Sequence, residues 1–240
     1  MKLSVVIPTF NEVDNVERLS KELIQLDIDM DILFVDDSSP DGTSEKVLEV
    51  AKEHPQVHLL KRLGKGGRGA ACMAGFQWFF ERGVKDDNIL VEMDADLSHD
   101  PADLPKLIDA MENADMVVGS RYLPGGRIEN WPAHRTLLSK FANQFAKCIL
   151  NIPLSDYTTG YRLYRARVLE DISYHQIHAT GYIVLTEMAY QIHLKGYRLG
   201  EAPITFVNRV RGESNLSLGE ITSAFTGVLR LKWDHLLGRI

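Results

Sequence analysis

The 240-residue sequence predicts an α/β protein with a mostly parallel central sheet flanked by helices. Two observations carry that expectation. Through residues 1–120, five short apolar runs alternate with segments of helical periodicity, the pattern of βαβ units. The polar and glycine-rich segments then fall where those strands end, at 8–12, 36–42, 64–69, 94–99 and 120–122. Ligands of parallel sheets bind outside the carboxyl ends of the strands, so the clustering marks a site. With 45% apolar and 25% charged residues, the disordered, collagenous and disulfide-scaffold classes are excluded. No apolar run approaches the ~18–20 residues that span a bilayer, and 3–7, stopped by Pro8, is too short for a secretory leader.

The elements follow in order. Residues 3–7 (LSVVI) read as a buried strand. Over 11–26, Val13, Val16, Leu19, Leu23 and Leu26 recur at helical spacing. A second strand, 31–35, halts at Asp36-Asp37, and a helix over 41–51 takes Asp41 as its N-cap. A third strand covers 57–60, and 66–82 is a helix that opens on small residues. The fourth strand, 89–93, runs into Asp94. A helix over 101–113 and a fifth strand at 116–119 complete the regular half. Beyond it, 132–150 is a helix striped by Leu138, Phe141, Phe145, Cys148 and Ile149. Helices are also expected over 166–172 and 181–194, strand over 197–207, and an amphipathic helix over 218–237. No repeat or linker interrupts the chain. One domain over 1–240 is expected, with 121–240 packed on the sheet formed by 1–120.

The net charge of −6 hides a polarity. Residues 1–120 hold 12 Lys/Arg and 24 Asp/Glu, whereas 121–167 hold 8 and 2. Overall acidity argues against nucleic-acid binding. The basic middle points to a local anionic partner, either phosphate or a membrane surface, although a solvated basic face gives the same pattern. The only cysteines, Cys72 and Cys148, have no metal spacing and suit a reducing, cytoplasmic setting.

Asp94-Ala95-Asp96 places two carboxylates at i and i+2 beyond a strand, an arrangement suited to Mg²⁺ or Mn²⁺ shared with substrate phosphates. An isolated pair of this kind also reads as a solvated turn; the strand-end position favours the metal, with Ser98 and His99 near enough to join it. The turn at 36–43 (DDSSPDGT) can accept from a base or ribose, or simply start a helix. Gly64–Gly69 matches GxGxxG, but it follows the third strand and lacks the acidic residue expected about 20 residues on. An NAD(P)-dependent oxidoreductase is therefore poorly supported; Lys65 and Arg68 can still approach a diphosphate, and close helix–strand packing explains the glycines equally well. Arg121, Arg127 and Arg135 cluster after the fifth strand. With a helix starting at Pro132, Ser139 lies one turn beyond Arg135, and the set suits a phosphate, although surface arginines on an amphipathic helix give the same pattern. The segments 156–162 (DYTTGYR) and 209–215 (RVRGESN) read as polar turns. No nucleophile elbow, zinc motif or kinase set occurs.

Together these segments resemble the inverting family 2 glycosyltransferases of the GT-A, Rossmann-like fold, and most of all their dolichyl/polyprenyl-phosphate mannose synthases. The likeness rests on VVIPTFNE (5–12), VDDSSPDGT (35–43), GKGGRGAA (64–71), MDADLSHDP (93–101), GSRYLPGG (119–126), DYTTGYRLYR (156–165), TGYIVLTEM (180–188) and NRVRGESNLS (208–217). It implies a donor, GDP-mannose, and an acceptor, a polyprenyl or dolichyl phosphate. Pro8, Phe10 and Glu12 would line the nucleotide pocket, with Val35 and Asp37 on the base and ribose. Asp94 and Asp96 would hold Mg²⁺ or Mn²⁺, with Ala95 alongside and Ser98 at the position of a glutamine ligand in some members. Arg121, Arg135, Ser139 and Arg209 would surround the phosphates, Asn215 would replace a usual lysine, and Asp156 would belong to the acidic turn. The half 1–120 would then bind the nucleotide sugar, and 121–240 the acceptor. The resemblance also implies a cytoplasmic protein peripheral to the membrane, with a small membrane partner in some members. The amphipathic stretches 132–150, with Trp131, and 218–237 can dock on an anionic leaflet or pack into the core. A UDP-glucose-dependent polyprenyl-phosphate glucosyltransferase, or a transferase to a soluble acceptor, remains an alternative.

Overall fold

The computed structural model describes residues 2–64, 66–85, 87–177, 183–208 and 218–240. In chain order these form β1 (Leu3–Thr9), α1 (Val13–Ile24), β2 (Met30–Asp36), α2 (Thr43–Glu53), β3 (Val57–Lys61), α3 (Gly67–Phe80), β4 (Ile89–Glu92), α4 (Leu104–Ala110), β5 (Met116–Ser120), β6 (Arg127–Glu129), α5 (Ala133–Leu150), β7 (Arg162–Arg165), α6 (Ala166–Asp171), α7 (Ile183–Leu194), β8 (Leu199–Pro203), β9 (Thr205–Val207) and α8 (Leu218–Leu236). Seven strands make one sheet in the order β3-β2-β1-β4-β7-β5-β8, and β6 pairs with β9 beside it. β1 pairs parallel with β2 and β4, β2 with β3, and β5 with β8. The mostly parallel sheet expected from sequence is present.

Alternation along the central strands explains why both faces are covered. Val6, Leu33 and Val35 enter one core with Cys72 and Phe76 of α3. Val5, Ile7, Ile32 and Phe34 enter the opposite core with Val16 and Leu19 of α1 and Val47 of α2. Successive strand side chains point to opposite faces, so strands buried on both sides read as unbroken apolar runs.

β7 departs from the sequence reading. The segment RLYR (162–165), part of it taken as a polar turn, is a strand inserted antiparallel between β4 and β5. Its Arg162 is fully buried. The guanidinium donates to the carbonyls of Thr159 (2.8 Å), Tyr157 (2.7 Å) and Leu185. Backbone acceptors satisfy the buried donors, so a charged residue sits in a central strand without an apolar pattern to announce it. Helix starts also shift. Gly42, at φ +93°, flanks α2, while Asp41 accepts from the Thr43 amide (3.0 Å) and hydroxyl (2.6 Å). The 101–113 segment divides into α4 between two 3₁₀ turns, Pro101–Asp103 and Met111–Asn113. In the second half, α8 packs on α5 and α7, with Phe225 against Phe141 and Phe145 at ring separations of 5.8 and 4.9 Å.

Candidate active site

β4 delivers the acidic pair. Just past its end, Leu97 adopts φ +59° and turns the chain back, so that Ser98 donates to Asp96 Oδ1 from its amide (3.1 Å) and its hydroxyl (2.5 Å). The amide of Asp94 donates to His99 Nδ1 at 3.1 Å. That bond places the ring proton on Nε2, which is buried and has no hydrogen-bond partner among the described residues. His99 stacks on Tyr161 at 5.2 Å. Burial lowers its pKa against the pull of Asp94 and Asp96, so the ring stays neutral. Asp94 Oδ1 accepts from Arg68 Nε at 2.6 Å, and the same guanidinium donates to buried Glu92 Oε1 (2.6 Å) and the Gly160 carbonyl (3.1 Å). A Cβ on residue 160 would lie 2.0 Å from Arg68 Nη2, so glycine there gives the guanidinium its room.

A second wall is built from the second half. Arg121 leaves β5 and is buried against Asp156, donating from Nε to Oδ2 (2.7 Å) and from Nη2 to Oδ1 (2.8 Å). Nη2 also reaches the Thr158 hydroxyl at 2.6 Å. The guanidinium lies 5.3 Å from the rings of both Trp131 and Phe206. Asp156 is fully buried. Burial alone would raise its pKa, but the Arg121 charge and hydrogen bonds hold it below the usual carboxylate range. Glu201 on β8 fixes the turn from behind, accepting from the Ser155 amide and hydroxyl and from the Asp156 amide; burial raises its pKa. Arg135, in the first turn of α5, stacks on Trp131 at 4.0 Å and donates to Asn208 Oδ1 at 3.2 Å. One turn on, Ser139 accepts from the Tyr122 hydroxyl at 2.7 Å.

These two walls face one cavity. Asp94, Asp96, Ser98, Arg121, Arg135 and Ser139 all line it, and its far side is apolar through Leu138, Ala142, Leu185 and Phe225. A groove of about 1080 Å³ opens on the other side of Asp96 and is lined by Phe10 and Glu12. Asp96 and Asn208 belong to both spaces. Pro8 lies half-buried near the end of β1, in register with Val35. The Val35 and Ala95 side chains are in the cores and leave only main chain near the surface. Asp37 is buried and engaged with the glycine-rich loop, accepting from the amides of Gly66 and Gly67 (2.9 Å each) and from Arg62. Arg209, Asn215 and Lys65 lie outside the described residues. Sequence reasoning left Glu92, Trp131, Glu201 and Phe206 out of the site and gave Arg68 no assigned partner. Glu92 announces itself only as an acid inside an apolar strand, and the others carry no motif.

Asp94 and Asp96 are hard oxygen donors on a partly exposed cavity floor, which suits Mg²⁺ or Mn²⁺. Among the described residues no group of three or more His, Cys, Asp or Glu could hold a metal. Two carboxylates without a third fit a divalent ion that completes its shell with water and substrate oxygens. Ser98, buried and spent on Asp96, acts as a support for that carboxylate.

Residues 4–173 match the family described as glycosyl transferase family 2. An undecaprenyl-phosphate mannosyltransferase of Micrococcus luteus is 41% identical over 244 residues, covering 100% of this chain and 99% of that protein. A polyprenol monophosphomannose synthase of Mycolicibacterium smegmatis is 41% identical over 92% of this chain and 83% of its own length. Among solved structures, the mannosyltransferase PcManGT from Pyrobaculum calidifontis, in complex with GDP-Man and Mn²⁺, superposes with a TM-score of 0.62. It covers 95% of this chain and 64% of its own at 17% identity, a likeness of fold alone.

Proposed function

This chain belongs to glycosyl transferase family 2, and we propose that it transfers mannose from GDP-mannose to a polyprenyl monophosphate with inversion at the anomeric carbon. One observation carries the reading: the acidic pair at the end of β4 and the arginines Arg121 and Arg135 line the same cavity. The likeness to an undecaprenyl-phosphate mannosyltransferase, over both full lengths, and to a polyprenol monophosphomannose synthase supports it.

The half 1–120 takes the donor. Phe10 and Glu12 border the groove that leads to Asp96, and Asp94 and Asp96 would hold a divalent cation beside the diphosphate. Bound there, Mg²⁺ or Mn²⁺ supplies positive charge against the charge that builds on the leaving group. The half 121–240 takes the acceptor. A phosphate monoester is already anionic at neutral pH, so its oxygen attacks without a strong base. His99 agrees with that, since its Nδ1 is taken by the Asp94 amide and its ring is buried. Two anions must meet in one space. Arg121 and Arg135 offset their repulsion and orient the attacking phosphate, so catalysis rests on positioning and fixed charge. Asp156 fixes Arg121 in that place, which gives the acidic turn its role.

The lipid approaches over α5 and α8. Leu137 (70% exposed) and Phe141 (60%) on α5, and Trp233 (60%) and Leu236 (66%) on α8, leave apolar side chains in the open. Lys140, Arg230, Lys232 and Arg239 flank them. No helix among the described residues is long and apolar enough to cross a membrane. The two helices instead dock on an anionic leaflet. Flotation with and without anionic lipid tests this, and failure to float in both would retire the docking.

The activity is tested with radiolabelled GDP-mannose, UDP-glucose and a prenyl phosphate in detergent, with and without EDTA. Product is expected from GDP-mannose only when a divalent cation is present. Product from UDP-glucose instead would move the reading to the glucosyltransferase, and EDTA-insensitive transfer would remove the metal from it.

A further inference from the structure

Arg68 holds a position the proposed reaction does not use. It projects from the first turn of α3, the helix that follows the glycine-rich loop, into the cavity floor. Its guanidinium is anchored on three sides: Nε on Asp94 (2.6 Å), Nη1 on Glu92 (2.6 Å) and Nη2 on the Gly160 carbonyl (3.1 Å). Glu92 is buried on β4 and also accepts from the Tyr164 hydroxyl at 3.1 Å. The anchor is therefore part of the sheet. The exchangeable contact is the one to Asp94, whose side chain is 30% exposed.

This arrangement puts a resident cation on one of the two carboxylates meant for a divalent ion. A bare Mg²⁺ or Mn²⁺ approaching Asp94 meets the positive charge of the guanidinium on Oδ1 and brings it no anionic partner. A nucleotide diphosphate brings anionic oxygens to the same spot and supplies that partner. We propose that Arg68 is a positioning residue that reserves Asp94 until the donor arrives, and so couples divalent-ion binding to nucleotide binding. Linkage makes the coupling reciprocal: the nucleotide tightens the ion by the factor by which the ion tightens the nucleotide. The inference rests on the assignment of Asp94 and Asp96 to a metal-bound diphosphate.

The test is Mn²⁺ binding, read from the EPR signal of free Mn²⁺, with and without GDP. In the wild-type protein, GDP is expected to tighten Mn²⁺ by about tenfold or more. In Arg68→Leu, Mn²⁺ alone binds about tenfold tighter than in wild type and the effect of GDP shrinks. Because that change leaves Glu92 buried without its charge partner, the double variant Arg68→Leu/Glu92→Gln is measured beside it, with the same result expected. Asp96→Asn serves as the control. If it binds Mn²⁺ as wild type does, the metal assignment fails and the inference with it. If Asp96→Asn loses Mn²⁺ while both Arg68 variants bind it no tighter than wild type, Arg68 has no reserving role and the metal assignment stands. A readout on the unaltered protein is the Arg68 Nε–H NMR resonance. It is expected to hold its position in Mg²⁺ alone and to move when GDP joins. Movement with Mg²⁺ alone would overturn the proposal.

Discussion

Two guanidinium–carboxylate pairs stand at the cavity, and they are built to different ends. Arg121–Asp156 is sealed: Asp156 is fully buried, both its oxygens are spent on Arg121 and Thr158, and Glu201 clamps the turn that carries it. Arg68–Asp94 is sealed on the arginine's far side by Glu92 but open where it meets the carboxylate. On the proposed reading, the first pair is a strut that holds Arg121 toward an incoming anion. The second, on the same reading, is a latch on a carboxylate of the proposed metal site. The same residue types give a rigid or an exchangeable contact according to how much water and how many further partners each oxygen retains.

The comparison can be broken at several points. The largest effect is expected on the donor wall: Asp96→Asn should lower transfer by about 10²–10³-fold with an unchanged thermal melt, since charge opposite the leaving group is lost. Retained activity would show that Asp96 is no part of the metal site. Next comes the strut. Asp156→Ala leaves Arg121 charged and buried, and urea denaturation should show a loss of about 3–5 kcal/mol. The pH dependence has a definite sign. Asp156 titrates below its unfolded-state value, so its stabilisation is full above about pH 4 and fades as pH falls through its lower folded value. The acid-side slope of wild-type stability should therefore flatten in Asp156→Asn, and parallel curves would contradict the burial argument. Arg135→Ala should raise the KM for prenyl phosphate by about 10–100-fold, as expected for losing a charge-assisted contact, and leave the KM for GDP-mannose within about twofold. Equal effects on both substrates would remove the division between the walls. The smallest effect belongs to the docking face, where Leu236→Gln should weaken partition onto anionic vesicles by about tenfold without moving the melting temperature.

Much of the donor wall could be read from the sequence because its logic is local. Apolar runs such as LSVVI end in polar turns, and a parallel sheet carries those ends to one edge, so Asp94 and Asp96 could be placed from spacing alone. The acceptor wall required long-range information. Asp156 and Arg121 are 35 positions apart, and nothing local marks them as partners. β7 was hidden because backbone carbonyls satisfy Arg162, so an arginine stands where pattern reading expects an apolar residue. Arg68 was visible as a cation in a glycine-rich loop, yet its engagement with Glu92 and Gly160 exists only once β4 and the 156–160 turn are brought together. Asp37 shows the opposite case: the sequence offers a polar carboxylate, and the fold spends it on the amides of Gly66 and Gly67.

The unity of the two walls is tested most directly by anomalous scattering from crystals grown with Mn²⁺ and GDP. The account predicts one Mn²⁺ peak about 2.1 Å from an Asp96 carboxylate oxygen, in the cavity that Arg121 and Arg135 line. A peak remote from Asp96, or an ordered nucleotide diphosphate bound with no metal between it and the Asp94–Asp96 pair, would contradict it.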